Sequence, residues 1–186
     1  MRIAIAGGTG TLGRQVTTQA RQAGHDTVVI ARSHGIDVIT GEGLLTALDG
    51  VDAVIDVLNI MTLSASRARE FFLATTRSLL AAETARQVAH HVTLSVVGID
   101  RIDAGYYAGK LAQEAAVVHG DVPHTIARSG QFYEFAGQLL SGSRGPVAVI
   151  PRALIRPVAA SEVAAHLIRL VEAGPAGRAT DLLGPR

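Results

Sequence analysis

A chain of 186 residues that is 48% hydrophobic can bury one substantial core, and its length points to one domain. A formal net charge of +1, without long basic runs, excludes an electrostatic case for nucleic acid or an anionic membrane and leaves small-molecule chemistry. The absence of cysteine excludes disulfides and thiolate metal sites, and no cationic leader or apolar stretch of about 18 residues is found, so a cytoplasmic protein is expected.

Residues 3 to 6 form a short apolar run suited to a buried parallel strand, and residues 11 to 23 set Leu12, Val16 and Ala20 at helical spacing until Gly24 ends the pattern. Between them, Gly7, Gly10 and Gly13 make a GxxGxxG turn, which permits a tight bend, close approach of backbone to a pyrophosphate and close helix packing. The following helix start offers unpaired N–H groups and a partial positive charge to phosphates. Gly7, Thr9, Gly10, Thr11, Leu12 and Gly13 are therefore the candidate dinucleotide cradle. A Walker A loop is excluded, because Arg14 and Gln15 follow Gly13 where Lys and Ser/Thr are needed.

A second strand is expected over 26 to 31, a short third over 38 to 40 and a fourth over 53 to 58, with helical material around 44 to 48. At the end of the second strand, where an acid would favour a free ribose 2′-hydroxyl, Arg32, Ser33 and His34 stand instead. A guanidinium plus a hydroxyl suit a 2′-phosphate, so NADP(H) is the expected cofactor, with Arg32 and Ser33 as its ligands. Asp26 lies at the wrong end of that strand, and Asp37 is a competitor for the ribose. Asn59, just past the fourth strand, is a candidate for lining the nicotinamide channel or for a turn.

A long helix is expected over 65 to 89, a strand over 91 to 97, a helix over 106 to 119 and a strand over 125 to 127. Beyond Gly130, residues 132 to 140 and 161 to 172 look helical and 147 to 150 and 179 to 183 extended. This βαβ succession implies a Rossmann-type doubly wound parallel α/β sheet: one domain over 1 to 186, in which 130 to 186 contribute the substrate side. Gln131, Phe132 and Phe135 follow the last of these regular strands and are the candidates for meeting substrate, core packing being the alternative for the phenylalanines. Adjacent His90 and His91 point to opposite faces of a strand, so no metal is assigned.

Ser95 ends the strand before Gly105-Tyr-Tyr-Ala-Gly-Lys110, in which Tyr106 and Lys110 share a helix face. A tyrosine so placed donates a proton to a carbonyl while the lysine lowers its pKa; Tyr107, three residues from Lys110, is the alternative acid. Gly109, inside this helix, costs roughly 1 kcal/mol against alanine and is expected to make room for the nicotinamide.

A strand-end serine followed by a helical Tyr-x-x-x-Lys resembles the short-chain dehydrogenase/reductase superfamily. That resemblance implies that Ser95 orients the substrate oxygen, Tyr106 is the general acid/base and Lys110 binds the nicotinamide ribose. Segments 7 to 13, 50 to 56, 106 to 114, 128 to 135 and 157 to 164 resemble its atypical NmrA-like NAD(P)-binding branch over nearly the whole chain. The resemblance implies an NADPH-dependent oxidoreductase that reduces a small carbonyl, enone or quinone-like substrate. A non-catalytic NADP sensor and a cofactor-retaining isomerase or epimerase are the alternatives. A homodimer through the long central helices is the partner it suggests.

Overall fold

The computed structural model describes residues 1–132 and 157–185. Six parallel strands, β1 (Arg2–Ala6), β2 (Asp26–Ile30), β3 (Ala53–Asp56), β4 (His90–Val96), β5 (His124–Ser129) and β6 (Gly177–Arg178), form one sheet in the order β2-β1-β3-β4-β5-β6. The connecting helices are α1 (Thr11–Gln22), α2 (Leu44–Ala47), α3 (Ala65–Ala85), α4 (Gly105–Val118) and α5 (Ala160–Ala173). The chain runs outward from β1 to β2 and then returns to place β3 on the other side of β1, so the crevice between β1 and β3 is the topological switch point.

Alternation along the strands divides the core into two layers. Ile3, Ile5, Ile55, Val92 and Leu94 are buried with Val16 of α1 and Val163, Leu167 and Val171 of α5. Ala4, Ala6, Ile30 and Val54 face the other way, toward Leu44 and Leu48 and toward Leu79 and Ala82 of α3. Small alanines on that face of β1 let the layer close tightly.

Two expected strands take a different form. Residues 38 to 40 lie in a turn, because the Asp37 carboxylate accepts from Ile39 N at 2.8 Å and the backbone folds back to bridge Glu42. Near the C-terminus the short strand is Gly177–Arg178, while Leu182 makes only a single bridge to Ser129. Of the expected elements over 132 to 140 and 147 to 150, all but Phe132 lies outside the described residues.

Candidate dinucleotide and Ser-Tyr-Lys site

At the head of β1 the chain turns at Gly7, whose φ of 83° is the left-handed conformation glycine adopts freely. A Cβ on Gly13 would stand 2.1 Å from the Gly7 oxygen and 2.6 Å from Gly8 Cα, so only glycine lets α1 seat this close to the loop. The first helical bond runs from Arg14 N to Gly10 O at 2.9 Å, so Thr11, Leu12 and Gly13 carry N–H groups that precede the helical ladder. Gly10 provides no side-chain cap and the first turn contains no acid. The cradle thus fits a phosphate group: bare backbone, a helix start and no competing anion. Thr9 and Thr11 are exposed at its lip, whereas the Leu12 side chain is buried in the core and only its backbone faces the loop.

Arg32 and Ser33 occupy a single 3-10 turn, Arg32–His34, directly after β2. Both are exposed; Ser33 Oγ lies 3.1 Å from His34 Nδ1, and Arg32 has no side-chain partner among the described residues. Asp26 opens β2 beside Arg2, with 3.5 Å between their charged groups, and Asp37 serves its turn. Asn59 is exposed in the loop after β3.

β4 and α4 bring the second cluster together. Lys110 is 3% exposed, and its Nζ donates to the main-chain oxygen of Leu94 at 2.9 Å and to Gln113 Oε1 at 2.8 Å. The ammonium also sits 4.4 Å from the Phe72 ring centre. Gln113 passes the contact on, its Nε2 donating to Asp56 Oδ2 at 2.9 Å, while Asp56 Oδ1 accepts from Leu58 N at 2.9 Å. Burial lowers the Lys110 pKa to about 8 against the opposing pull of Asp56 and Glu114. Ser95, next along β4 from Leu94, is 1% exposed and its Oγ has no hydrogen-bond partner.

The two tyrosines diverge. Tyr106 packs edge-on against Phe72, with ring centres 5.6 Å apart, on the side of the helix that carries Lys110. Contrary to the lowering expected from Lys110, burial raises its pKa, with Tyr107 and Asp56 adding to the effect, so its phenol stays protonated. Tyr107 lies edge-on to Tyr106, with ring centres 5.9 Å apart, and its hydroxyl accepts from Gln131 Nε2 at 3.4 Å. Phe132 bridges Val158 and packs partly into the core, and Phe135 lies outside the described residues.

Gly109 has a different purpose from the one expected. A Cβ there would meet the backbone and Cβ of Ala68 at 2.7 Å, so the missing side chain makes room for α3 and not for a nicotinamide.

Sequence reasoning also missed Phe72, Gln113 and the clamp formed by Arg128. That guanidinium donates to Glu114 Oε1 at 2.8 Å and Oε2 at 2.6 Å, and to both oxygens of Asp100. It ties β5 and α4 to the loop that links Ser95 with Tyr106. No local signal marks these three, whose contacts to Lys110, Asp56 and Asp100 are made across different elements.

No protein-family model matches the sequence. The chain is 41% identical over 70 residues to photosystem II assembly factor Ycf39 of Synechocystis, covering 30% of this chain and 22% of that protein. It is 27% identical over 149 residues to Ycf39 of Trieres chinensis, covering 72% of this chain and 47% of that one. The chain thus spans less than half the length of these curated relatives. Among solved structures, a DesIV double mutant, a dTDP-glucose 4,6-dehydratase from Streptomyces venezuelae with NAD bound, superposes with a TM-score of 0.77 at 19% identity, over 100% of this chain and 76% of that one. A short-chain dehydrogenase/reductase superfamily protein from Agrobacterium tumefaciens with bound NAD gives 0.60 at 22% identity, over 71% and 50%.

Proposed function

We propose that this chain, which has the Rossmann fold of the short-chain dehydrogenase/reductase superfamily, binds NADP(H) and reduces a small carbonyl, enone or quinone-like compound. The observation that carries the reading is the contact at Gly13, where a Cβ would overlap the Gly7 oxygen at 2.1 Å, at the head of the strand beside the switch point. Gly7, Gly10 and Gly13, with the main chain of Thr9, Thr11 and Leu12, would hold the pyrophosphate. Arg32 and Ser33 would hold the 2′-phosphate, and Asn59 would stand beside the nicotinamide arm. The cofactor, when bound, supplies a hydride for the substrate carbon.

The chain's own residues have the complementary task. Tyr106, kept protonated by its burial, gives a proton to the substrate oxygen, and Ser95 orients that oxygen. Lys110 holds the strand end beside Ser95 and places a cation near the phenol that it shares Phe72 with. Tyr107, with Gln131 on its hydroxyl, is the alternative donor. Gln131 and Phe132 stand on the substrate side.

A second reading is a protein that binds NADP without turning it over. It is favoured by the internal engagement of Lys110, whose ammonium is bonded to Leu94 and Gln113. The similarity to Ycf39, an assembly factor by name, points the same way. NADPH absorbance with a panel of aldehydes, ketones and quinones separates the two. Turnover that is lost in Tyr106→Phe supports the reductase; turnover lost only in Tyr107→Phe moves the acid to that residue. Tight NADPH binding without turnover across the panel supports the sensor.

A homodimer through α3 and α4 is part of the proposal. The outer groove between these helices, of about 620 Å³, has Ala112, Ala115, Ala116 and Gly120 on one side, small enough to admit a second copy, and Leu73, Arg77 and Leu80 of α3 on the other. Light scattering decides it: wild type is expected as a dimer and Ala116→Arg as a monomer.

Among the described residues no helix is long and apolar enough to cross a membrane.

A further inference from the structure

Beneath the candidate site, the layer between the sheet and α3 contains an unusual column of polar side chains. His91, Thr93 and Ser95 alternate along β4 and so share one face, at 0%, 0% and 1% exposure. Phe72, Thr76 and Glu83 recur on α3 at spacings of four and seven, which also keeps them on one face. The two rows run in opposite directions. At the upper end Phe72 meets Lys110, which is bonded to the Leu94 oxygen; at the lower end Glu83 meets His91, with Nδ1 2.9 Å from Oε1. Thr76 and Thr93 fall between. Asp56 pairs in register with Thr93 on the neighbouring strand and carries the Gln113–Lys110 chain.

Four buried side-chain atoms of this column have no hydrogen-bond partner: Ser95 Oγ, Thr93 Oγ1, Thr76 Oγ1 and His91 Nε2. Buried polar atoms are nearly always satisfied, and those without a protein partner are typically served by ordered water that makes two to four bonds. One isolated orphan has little weight. Four in one layer, between the titratable groups Lys110 and His91, have a common explanation.

We propose that internal water fills this column and makes it a proton path from Lys110, by way of Asp56 and Thr93, to the His91–Glu83 pair. The inference goes beyond the proposed reaction and holds whether or not the chain turns a cofactor over. The titratable groups around His91 are Glu83 on α3, Asp56 on β3, the adjacent His90 on β4 and His124 beside it in register on β5, with Lys110 on α4 above. Burial is the largest single influence and opposes a charge on His91, but the charge and hydrogen bond of Glu83 together with Asp56 outweigh it, so His91 holds a proton more firmly than an ordinary histidine.

Thr93→Val and Thr76→Val test the proposal, because each removes one hydroxyl and keeps the shape. If the layer is hydrated, each variant loses a water-bridged bond and melts about 2–4 °C below wild type. If it is dry, each removes an unsatisfied buried group and melts at the wild-type temperature or higher. Solvent exchange of His91 Nε2–H, followed by NMR and assigned with His91→Gln, gives a readout independent of stability. Exchange in wild type is expected to slow at least tenfold in Thr93→Val. Unchanged exchange, or a valine variant as stable as wild type, overturns the proposal.

Discussion

Lys110 holds the main-chain oxygen of Leu94 at 2.9 Å, so the only lysine of the chain is tied to the strand position next to Ser95. The bond makes the end of β4 and the first turns of α4 one unit, and it leaves a cation that is 3% exposed to bulk solvent. Burial brings its pKa from 10.5 to about 8. Between those values the folded chain binds fewer protons at this group than the unfolded chain, so its contribution to unfolding free energy rises with pH across that window. Below about 8 the cost of the buried cation is fully present, on the order of 3 kcal/mol for a shift of this size. Urea unfolding from pH 7 to 10 is expected to show that slope in wild type and to lose it in Lys110→Met. With 13C-lysine labelling the chain gives a single Cε resonance, and a midpoint near the ordinary lysine value would refute the burial argument.

Gly109 invites alanine, which gains about 1 kcal/mol of helix propensity over glycine. The close approach of α3 reverses that sign. A Cβ at 2.7 Å from Ala68 backbone atoms has no flexible side chain to push aside, so the helices must separate, at a typical cost of 1–3 kcal/mol. Gly109→Ala is expected to be less stable than wild type by urea unfolding. A more stable Gly109→Ala protein would show that α3 and α4 can part cheaply.

The same glycine shows what sequence conveys and what it does not. The crossover pattern and the glycine turn were legible because each is built from local spacings of apolar residues and glycines. Whether Gly109 faces a helix or a ligand depends on Ala68, 41 positions away, and nothing local distinguishes the two. The turn at 38 to 40 was misread because an apolar pair resembled a strand, while the Asp37 carboxylate that closes the turn counted as a possible ribose ligand. Arg128 was passed over for a similar reason: its partners lie 28 and 14 residues back.

That guanidinium carries the next prediction. Arg128 is 3% exposed at its side chain and Glu114 12%, so Arg128→Met leaves a carboxylate in the interior without its cation. The expected loss is about 3–5 kcal/mol by urea unfolding, with part of it restored when Glu114→Leu is added, because the apolar pair no longer contains a stranded charge. Asp100, whose side chain is 58% exposed, has a smaller share. Its carboxyl is held below the usual range by the Arg128 hydrogen bond, so that share is present above its ordinary pKa and fades as pH falls. A double variant no better than Arg128→Met would mean that the guanidinium acts through packing alone.

The proposed preference for NADP(H) over NAD(H) rests on Arg32. The residue is exposed, sits in the turn just past β2 and has no side-chain partner among the described residues, so Arg32→Ala is expected to leave the melting temperature within a degree or so of wild type. A charge-assisted hydrogen bond to a phosphate contributes about 1.5–3 kcal/mol, which corresponds to a roughly 10- to 100-fold weaker Kd for NADPH when the guanidinium is removed. NADH has no 2′-phosphate and its Kd is expected to stay the same. Titration of both nucleotides against wild type, Arg32→Ala and Ser33→Ala measures the difference directly. Equal losses for the two nucleotides would assign Arg32 to the fold or to the shared adenosine. A loss confined to NADPH, larger for Arg32→Ala than for Ser33→Ala and reduced by salt, is the signature of a guanidinium facing a phosphate at the end of β2.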